Sequence, residues 1–345
     1  MTSWPAWGLT TPINIGPLAS APTQSPMTSR PFKQVDVFTD TAYLGNPLAV
    51  VLDGTGLSTA DMQHFAHWTN LSETTFLLPP SPEAAAQGAD YQVRIFTTAY
   101  EMPFAGHPTL GSCHAWLEAG GVPKNSEFIV QECQVGLVRI RHNVRPLAFA
   151  APALTRTPPS AQVLTHLTVA LGLQPTQVLA AQHLTNGPRH FGVWLDNTAS
   201  VLQLVPDPAA LSAWMREAGV TGVGLAALAD DPTADSAGGG LIKRSNREAR
   251  AFGQTPRHAA KSDPAQLEVR FFANHDVLLE DPVTGSFNAS LAQWLIDEGL
   301  APATYVATQG TCLGRHGQVH ISQNASGQIW VGGHAVTCIN GTVQL

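Results

Sequence analysis

The stretch AGHPTLGSCHAWL (Ala105–Leu117), which follows the strand-like segment VRIF (Val93–Phe96), has a second copy later in the chain. The second copy reads EDPVTGSFNASL (Glu280–Leu291) and follows VRFF (Val269–Phe272). Each copy predicts a strand, a tight turn and the beginning of a helix. The repeat indicates that the chain folds as two related halves, and small-molecule sites usually lie in clefts between such halves.

The two copies can be aligned on their turns. HPTLGS and DPVTGS share a Pro, a Gly and a Ser, and this alignment puts His107 opposite Asp281. It also pairs Ala115 with Ala289 in the helix that follows. We therefore expect a titratable group at the start of a helix in each half, with both groups facing a common cleft.

The composition is that of an ordinary globular protein, and its 345 residues are enough for two domains with sizeable cores. The formal net charge of −7 argues against a general nucleic-acid binder. No run of about 18 apolar residues is present, so we expect no membrane span. The four cysteines form no CxxC pair, which argues against that type of metal or redox site and favours free thiols in a reducing cytoplasm.

The chain divides into an extension and two halves. Residues 1–28 are predicted to be a disordered extension, because they are rich in Pro, Ser, Thr and Ala and lack the features of a signal peptide. Met27 is a candidate translation start. We expect an N-terminal half at 29–150, completed by a C-terminal strand at 331–345, and a C-terminal half at 151–330.

The C-terminal half contains an insertion at 229–263 that has no apolar period. It is rich in Gly and Ala and carries six of the chain's 18 basic residues. This composition is typical of a mobile surface insertion. The alternative is a basic lid over an anionic substrate.

Local patterns predict antiparallel strands around amphipathic helices. Ser58 should open a helix, with Asp61 three residues later as a capping box. The segment SETTFLL (Ser72–Leu78) is rich in β-branched and apolar residues and predicts a strand. In the second half, PAALSAWMREAGV (Pro208–Val220) predicts a helix that ends at its glycine.

Four side chains are candidates for catalysis: Glu73, His107, Asp281 and Ser286. Glu73 opens an apolar strand, where burial would raise its pKa toward neutrality and make it a proton carrier, unless it is simply exposed to solvent. His107 is either functional or a turn residue, and Asp281 and Ser286 either line a site or cap a helix. Two facing helix N-termini with free amides would hold a small anion and stabilise an enolate-like charge.

Several segments resemble motifs of the PhzF-like phenazine biosynthesis family, and they occur in the family's order. They are NLSETTFLL (Asn70–Leu78), RIFTTAYEMPFAGHPTLG (Arg94–Gly111), NGPRHFGVWL (Asn186–Leu195) and EDPVTGS (Glu280–Ser286). The opening VDVFTDTAYLGNPLAVVL and the late ATQGTCLGR also fit, so the resemblance runs from about Phe32 to Leu345.

The resemblance implies an α+β fold of the diaminopimelate epimerase type. That fold has two pseudo-symmetric halves, each an antiparallel-rich sheet wrapped around a central helix, which would explain the internal repeat. The resemblance also implies a homodimer and a reaction that needs no cofactor.

The resemblance further implies roles for the candidate residues. In the phenazine enzyme, the glutamate of an LSE motif moves a proton between two carbons of trans-2,3-dihydro-3-hydroxyanthranilate, and Glu73 matches that residue. His107, Asp281 and Ser286 match residues that line the pocket.

Three further residues are expected to contact the substrate: Gly106, Gly285 and Asn46. The two glycines match positions whose backbone approaches the ligand in the family, and Asn46 lies in the turn before the second strand. The related epimerases carry two cysteines in the repeated turns. Here the turns AGHP and EDPVTG have no thiol and Cys113 lies in the helix beyond, so a two-thiol racemase is disfavoured.

We therefore expect a cofactor-independent isomerase that moves a proton between carbons of a small carboxylated metabolite, without a metal, a nucleic acid or a membrane. An ionised Asp281 would repel a bare anion, so Asp281 is expected either to be protonated on binding or to face an amino or hydroxyl group of the substrate. Two alternatives remain open. One is a racemase or epimerase of an amino-acid-like acid, with an acid and a base on opposite faces, and the other is a dimeric ligand-binding protein without catalysis.

Overall fold

The computed structural model describes residues 27–229, 267–274 and 278–345. The predicted disordered extension therefore lies outside the described residues except for its last two positions, and the predicted insertion lies outside them except for Ala229. The first half runs in the order β1 (Ser29–Val37), β2 (Asn46–Val51), α1 (Thr59–Thr69), β3 (Glu73–Leu78), α2 (Pro82–Ala86), β4 (Tyr91–Phe96), β5 (Glu101–Met102), α3 (Gly106–Glu118), β6 (Phe128–Cys133), β7 (Gly136–Arg141) and β8 (Leu147–Ala150).

The second half begins with a short edge strand and ends with a long strand that returns to the first half. Its order is β9 (Thr155–Thr157), α4 (Ala161–Leu171), β10 (Val178–Thr185), β11 (Arg189–Leu195), α5 (Thr198–Leu202), α6 (Pro208–Ala218), β12 (Gly222–Leu228), β13 (Leu267–Asn274), β14 (Leu278–Glu280), α7 (Gly285–Asp297), β15 (Thr304–Gln309), β16 (Gly317–Gln323), β17 (Ile329–Gly333) and β18 (Ala335–Gln344).

The strand pairing repeats from one half to the other. In the first half, β2 is antiparallel to β1 and parallel to β3. Strand β4 is antiparallel to β3 and to β5, and parallel to β6. Strand β7 is antiparallel to both β6 and β8. Strands β10 to β17 repeat this order. The expected α+β fold of two pseudo-symmetric halves is confirmed.

Two strand pairs tie the halves together. Strand β18 pairs antiparallel with β1 over its whole length, so the end of the chain is built into the first sheet. Strand β8 pairs with β17, with Ala150 opposite Trp330. The two sheets are therefore continuous through hydrogen bonds, and the orientation of one half relative to the other is fixed by backbone pairing.

Each half also contains an equivalent ion pair, which is partly buried in the first half and more deeply buried in the second. Arg94 of β4 lies 2.6 Å from Glu101 of β5, and Arg270 of β13 lies 2.8 Å from Glu280 of β14. Each guanidinium also stacks over a phenylalanine of its own strand. In each pair the planar guanidinium donates two hydrogen bonds to the carboxylate, which fixes the relative orientation of the two side chains. Each pair therefore holds in place the turn that precedes a central helix.

Helices α3 and α7 are the central helices, and both have 13 residues. They are buried over most of their length, which is typical of a helix enclosed by a sheet. Small residues allow this close packing. A β-carbon added to Gly111 of α3 would lie only 2.6 Å from Leu48 and 2.8 Å from Val37, so the helix rests directly on β1 and β2.

The structure corrects the alignment of the two repeated turns. Helix α3 begins at Gly106 and α7 begins at Gly285, so Gly106 corresponds to Gly285 and His107 to Ser286. The sequence alignment, which put His107 opposite Asp281, is displaced by five residues. It matched a proline inside α3 with a proline in the turn before α7, because a shared Pro, Gly and Ser do not locate the helix start.

Of the two roles considered for Ser286, the structure does not support the helix cap. The N-cap of α7 is Thr284, whose side chain does not cap the helix but donates to Asp281 Oδ2 over 2.6 Å. Gly285 and Ser286 are the first two residues of the helix itself. Their amides therefore point out of the helix end with no intrahelical partner.

Candidate active site

A cleft of about 730 Å³ lies between the two halves. This volume is within the range of pockets that bind small metabolites. Residues from the turn before β3, from the β4–β5 hairpin and from the start of α3 form one wall. The other wall comes from the segment before β11, from β13 and from the start of α7. The residues singled out from the sequence on this cleft are Glu73, Gly106, His107, Asp281, Gly285 and Ser286.

The N-termini of both central helices open into this cleft. Neither N-cap residue, Ala105 in α3 or Thr284 in α7, caps its helix with a side-chain hydrogen bond. The first backbone amides of each helix consequently have no partner in the helix, and the helix dipole adds partial positive charge there. Two such ends that meet in one cleft form a site suited to a carboxylate or another small oxyanion.

Glu73 is a titratable group of the cleft wall whose surroundings differ strongly from water. It is the first residue of β3, and its side chain retains 14% of its exposure. Burial raises the pKa of Glu73 to about 8, and the nearby negative charge of Asp281 adds to this shift. Glu73 is therefore mostly protonated at pH 7 and can both accept and release a proton near neutral pH.

His107 faces Glu73 from the first turn of α3. Its Nε2 lies 3.3 Å from Glu73 Oε2, although the two atoms are not aligned as a hydrogen bond and neither has another partner among the described residues. Burial lowers the pKa of His107 to about 3, so the ring is neutral. Glu73 and His107 thus face each other at the wall of the cleft that both residues line.

Asn46 lies against both His107 and Asp281. The Asn46 amide Nδ2 donates to Asp281 Oδ1 over 2.8 Å and to Val283 O over 3.0 Å, and it lies 3.3 Å from His107 Nδ1. The two amide protons are used by Asp281 and Val283, so the contact with Nδ1 is the weakest of the three. Asn46 is fully buried behind His107 and Asp281 and does not line the cleft.

Asp281 is held rigidly in the turn before α7. Its Oδ1 accepts from Asn46 and its Oδ2 accepts from Thr284, while its backbone amide donates to Phe271 O. Asn46 comes from the N-terminal half, so this contact crosses between the halves. Asp281 therefore presents a fixed acceptor on the cleft wall.

Ser286 lies in the first turn of α7 and lines the cleft. It is 6% exposed, and its carbonyl accepts a hydrogen bond from Asn186 over 2.8 Å. That bond ties the start of α7 to the segment before β11. Ser286 contributes an amide and a hydroxyl at the position that corresponds to His107 in α3.

The two halves differ at the pair of neighbouring strand residues that includes Glu73. Glu73 opens β3 and pairs with Leu48 of β2. The corresponding residue that opens β12 is Gly222, which pairs with His190 of β11. The second half thus has no carboxyl group where the first half has Glu73, and the arrangement favours one proton carrier over two symmetric ones.

The cleft residues that reasoning from the sequence did not single out include Tyr100, His190 and Phe271. Tyr100 and His190 both lie inside motifs that carried the family resemblance, so the motifs held a signal for them. Phe271 lies in VRFF, one residue after the arginine shared by both copies. Nothing in its local pattern separates a cleft phenylalanine from a core phenylalanine.

No group of three His, Cys, Asp or Glu side chains within 27–229, 267–274 and 278–345 is close enough together to hold a metal ion. In the same ranges, no helix has the length and apolar character needed to cross a membrane.

Comparison with known proteins identifies the family. The sequence model described as "Phenazine biosynthesis-like protein" matches residues 35–235 and 244–341. Antisense-enhancing sequence 1 of Schizosaccharomyces pombe is 33% identical over 330 residues, which cover 91% of this chain and 99% of that protein. Trans-2,3-dihydro-3-hydroxyanthranilate isomerase of Pseudomonas chlororaphis is 33% identical over 183 residues, which cover 52% of this chain and 62% of that enzyme.

Solved structures share the fold. The PhzF-family phenazine biosynthesis protein of Bacillus anthracis superposes with a TM-score of 0.71 at 20% identity, covering 92% of this chain and 100% of that one. A hydroxyproline epimerase of Agrobacterium vitis, solved with bound trans-4-hydroxy-L-proline, gives a TM-score of 0.57 at 12% identity, covering 93% of each chain. The family and the isomerase class expected from the motifs are confirmed, and this chain belongs to the phenazine biosynthesis-like family.

Proposed function

We propose that the protein is an isomerase that moves a proton between two carbons of a small carboxylated metabolite, with Glu73 as the proton carrier. The observation that carries this proposal is one carboxyl group with a pKa of about 8 in a cleft that also receives two uncapped helix N-termini. A proton carrier works best when its pKa is close to the working pH. The helix ends supply the matching site for the substrate's negative charge.

The reaction follows from these positions. The substrate carboxylate binds the free amides of α3 and α7, and ionised Glu73 removes a proton from a carbon next to an electron-withdrawing group. The electron pair that is left delocalises into an enolate-like anion, which the same amides stabilise. Glu73, now protonated, returns the proton to a different carbon. No atom is gained or lost, and Glu73 ends in its starting state.

His107 and Asp281 support this reaction in different ways. The neutral His107 ring turns its Nε2 toward Glu73, and with its proton on this nitrogen it donates a hydrogen bond to developing negative charge. The fixed carboxylate of Asp281 attracts an amino group of the substrate by a charge-assisted hydrogen bond. The substrate class is therefore an amino-bearing carboxylic acid. The relatives named as trans-2,3-dihydro-3-hydroxyanthranilate isomerases make that compound the first candidate.

Racemisation of an amino-acid-like acid is the second candidate. It needs an acid and a base on opposite faces of one carbon, and Asp281 is the carboxyl group whose charge acts on Glu73. Asp281 is less suited to carry a proton, because both of its oxygens already accept hydrogen bonds from Asn46 and Thr284. The third candidate is a protein that binds the same ligands without turnover.

A proton-exchange experiment separates these candidates. The protein is incubated in heavy water with trans-2,3-dihydro-3-hydroxyanthranilate, and separately with amino acids and hydroxyproline, and each ligand is followed by NMR. An isomerase gives a product in which the proton has moved to a different carbon, and the atom delivered there is either the original proton or deuterium from the solvent. A racemase inverts the configuration of one carbon. A binder produces neither result, although the ligand stabilises the protein.

Glu73→Gln should reduce exchange by about 100-fold or more while the protein remains folded, because the side-chain shape is kept and the titrating group is lost. Glu83→Gln is the matched control, since Glu83 lies in the exposed first turn of α2. Exchange at the wild-type rate in Glu73→Gln would remove Glu73 from the mechanism.

A further inference from the structure

Gln309 is a buried polar residue behind the candidate active site that the mechanism above leaves unused. It is the last residue of β15, is fully buried and belongs to the segment ATQGTCLGR that contributed to the family resemblance. Its Oε1 accepts from the amide of Thr284 over 3.1 Å and from Asn288 Nδ2 over 2.9 Å. Its Nε2 donates to the carbonyl of Asp281 and to Thr284 Oγ1, each over 3.0 Å. All four of these hydrogen bonds go to the turn before α7 or to the first turn of α7.

These contacts fix the direction of a hydrogen-bond network that ends on the carboxylate of Asp281. An amide nitrogen only donates, so Thr284 Oγ1 accepts from Gln309 Nε2 and its own proton is free for another acceptor. That acceptor is Asp281 Oδ2, which lies 2.6 Å from Thr284 Oγ1. A hydrogen bond donated to a carboxylate favours its ionised form. The network from Gln309 through Thr284 therefore holds the Asp281 side chain in one position and stabilises its negative charge.

The first half has no such network. Counted back from the first residues of the two central helices, Met102 takes the position of Asp281. Ala105 takes the position of Thr284 in the same way. Met102 carries no charge and Ala105 has no hydroxyl group, so the turn before α3 has neither the carboxylate nor the group that donates to it.

Cys133 takes the position of Gln309 in the first half. Strand pairing gives this match when β4 and β13 are aligned on the arginines of their ion pairs. The Cys133 thiol contacts Gly136 O in its own hairpin over 3.6 Å, whereas Gln309 contacts the turn before the central helix. The three polar residues of the network thus occur together in the half that has the carboxylate and are replaced together in the other half. This co-occurrence links Gln309 to Asp281 rather than to the fold that both halves share.

We propose that Gln309 is a positioning residue that acts through Thr284 to hold the Asp281 carboxylate as a fixed negative charge near Glu73. Burial raises the pKa of Glu73 to about 8, and the charge of Asp281 adds to this shift. Gln309 does not line the cleft, so it acts on the proton carrier only through the turn that it holds. The inference rests on the proposed function, because Glu73 is the proton carrier of that proposal.

The pKa of Glu73 in the free protein tests this inference without turnover. Full-length protein labelled with ¹³C at the glutamate carboxyl groups is titrated by NMR, and the Glu73 signal is identified by its loss in Glu73→Gln. In Gln309→Met the midpoint for Glu73 should fall by about half a pH unit or more, because an unsupported Asp281 repels Glu73 less. His107 and Tyr100, which also lie near Glu73, are unchanged in this variant.

Gln131→Met is the matched control. Gln131 is also fully buried, accepts from Tyr91 and donates to Thr109 of α3, so its replacement removes hydrogen bonds of the same kind in the other half. It should lower stability as Gln309→Met does and leave the midpoint for Glu73 unchanged. An unmoved midpoint in Gln309→Met, or an equal shift in both variants, would overturn the inference.

Changes at Thr284 keep the inference testable if Gln309→Met does not fold. Thr284→Val keeps the shape and removes the hydroxyl group that joins Gln309 to Asp281, so it should move the midpoint for Glu73 to lower pH. Thr284→Ser retains the hydroxyl group and should restore the wild-type midpoint, and equal midpoints in these two variants would contradict the positioning role. In the Asp281→Asn background, Gln309→Met should move the midpoint no further, since both changes act through the same charge.

The outcome for Gln309 is distinguishable from that of the proposed function. A Glu73 midpoint that depends on Gln309, in a protein that never exchanges a substrate proton, would support the positioning role and contradict the isomerase proposal. Proton exchange by a protein whose Glu73 midpoint is unaffected by Gln309→Met would support the isomerase proposal and overturn the positioning role.

Discussion

Gly106 and Gly285 are the first residues of the two central helices, and their backbones are in direct contact. A β-carbon on Gly106 would lie 2.8 Å from Gly285 Cα, and a β-carbon on Gly285 would lie 3.1 Å from Gly106 Cα and 2.9 Å from Phe38 Cζ. This contact brings the free amides of both helices to one place. The anion site that we propose in the cleft therefore depends on the absence of side chains at these two positions.

Gly106→Ala should disrupt both stability and catalysis. The new methyl group must push the two helices apart, and overpacking of this kind costs about 1–3 kcal/mol in the free energy of unfolding. The rate of proton exchange should fall by more than the loss of folded protein accounts for, because the amides at the two helix N-termini no longer converge. Chemical denaturation and exchange in heavy water measure the two effects. Gly341→Ala is the control, since no atom lies within 4 Å of a β-carbon there, and equal effects in both variants would contradict the argument.

The raised pKa of Glu73 predicts how stability depends on pH. The folded state holds this proton up to a pH of about 8, while the unfolded state loses it near the ordinary value of 4.5. The folded state thus binds more protons between these values, and its stability falls as pH rises through that window. Glu73→Gln does not titrate, so it should become more stable than wild type as pH rises from 5 to 8.5.

Thermal unfolding at several pH values measures this difference. The melting temperature of Glu73→Gln should exceed that of wild type by about 2 °C or more at pH 8.5, and the two curves should approach each other at pH 5. Glu83→Gln, in exposed α2, should show no such trend. Parallel curves for wild type and Glu73→Gln would mean that Glu73 titrates normally.

Asn46 provides a buried polar link between the halves, and its removal should be costly. Asn46→Leu keeps the branching of the side chain but leaves the carbonyl of Val283 and one oxygen of Asp281 without their donor. Unpaired buried acceptors cost about 1–3 kcal/mol each, so the free energy of unfolding should fall by about 2–4 kcal/mol. Asn340→Leu, on the exposed part of β18, should change it little. A small loss in Asn46→Leu would show that water or rearrangement satisfies these groups.

Local chemistry made several elements predictable from sequence. The capping box of Ser58 and Asp61 starts α1 as expected, and α6 ends at Gly219, which adopts the left-handed conformation expected of a helix C-cap. These signals act over a few residues. Glu73 could be singled out for the same reason, because the apolar strand that follows it is a local feature.

Other parts of the site depend on contacts between distant segments. The start of α7 is fixed by the approach of Gly285 to Gly106, and no residue near Gly285 indicates that approach. The part of the pKa shift of Glu73 that comes from Asp281 likewise requires the two halves to be assembled. His190 becomes a cleft residue only because β11 and β13 bring it beside Phe271.

Cys113 should be dispensable for catalysis. It is fully buried inside α3, does not line the cleft, and burial raises the pKa of its thiol to about 12. A thiolate is therefore absent at neutral pH. Cys113→Ala should retain proton exchange within a few-fold of wild type, as should Cys133→Ala, the control at another buried cysteine. Loss of exchange in Cys113→Ala alone would revive a thiol mechanism.

Asp281 should control the pH profile of the reaction through Glu73. Proton abstraction requires ionised Glu73, so kcat/KM for exchange should rise about tenfold per pH unit below about 8 and level off above it. Asp281→Asn removes the negative charge that helps to raise this pKa, and burial of Glu73 remains. The midpoint of the profile should therefore move to lower pH but stay above 4.5. Affinity for amino-bearing ligands should also weaken, by about 1.5–3 kcal/mol for a lost charge-assisted hydrogen bond. Rates are measured in heavy water from pH 5 to 9.5, with Asn340→Leu as a control, and an unshifted midpoint in Asp281→Asn would show that Asp281 does not act on Glu73.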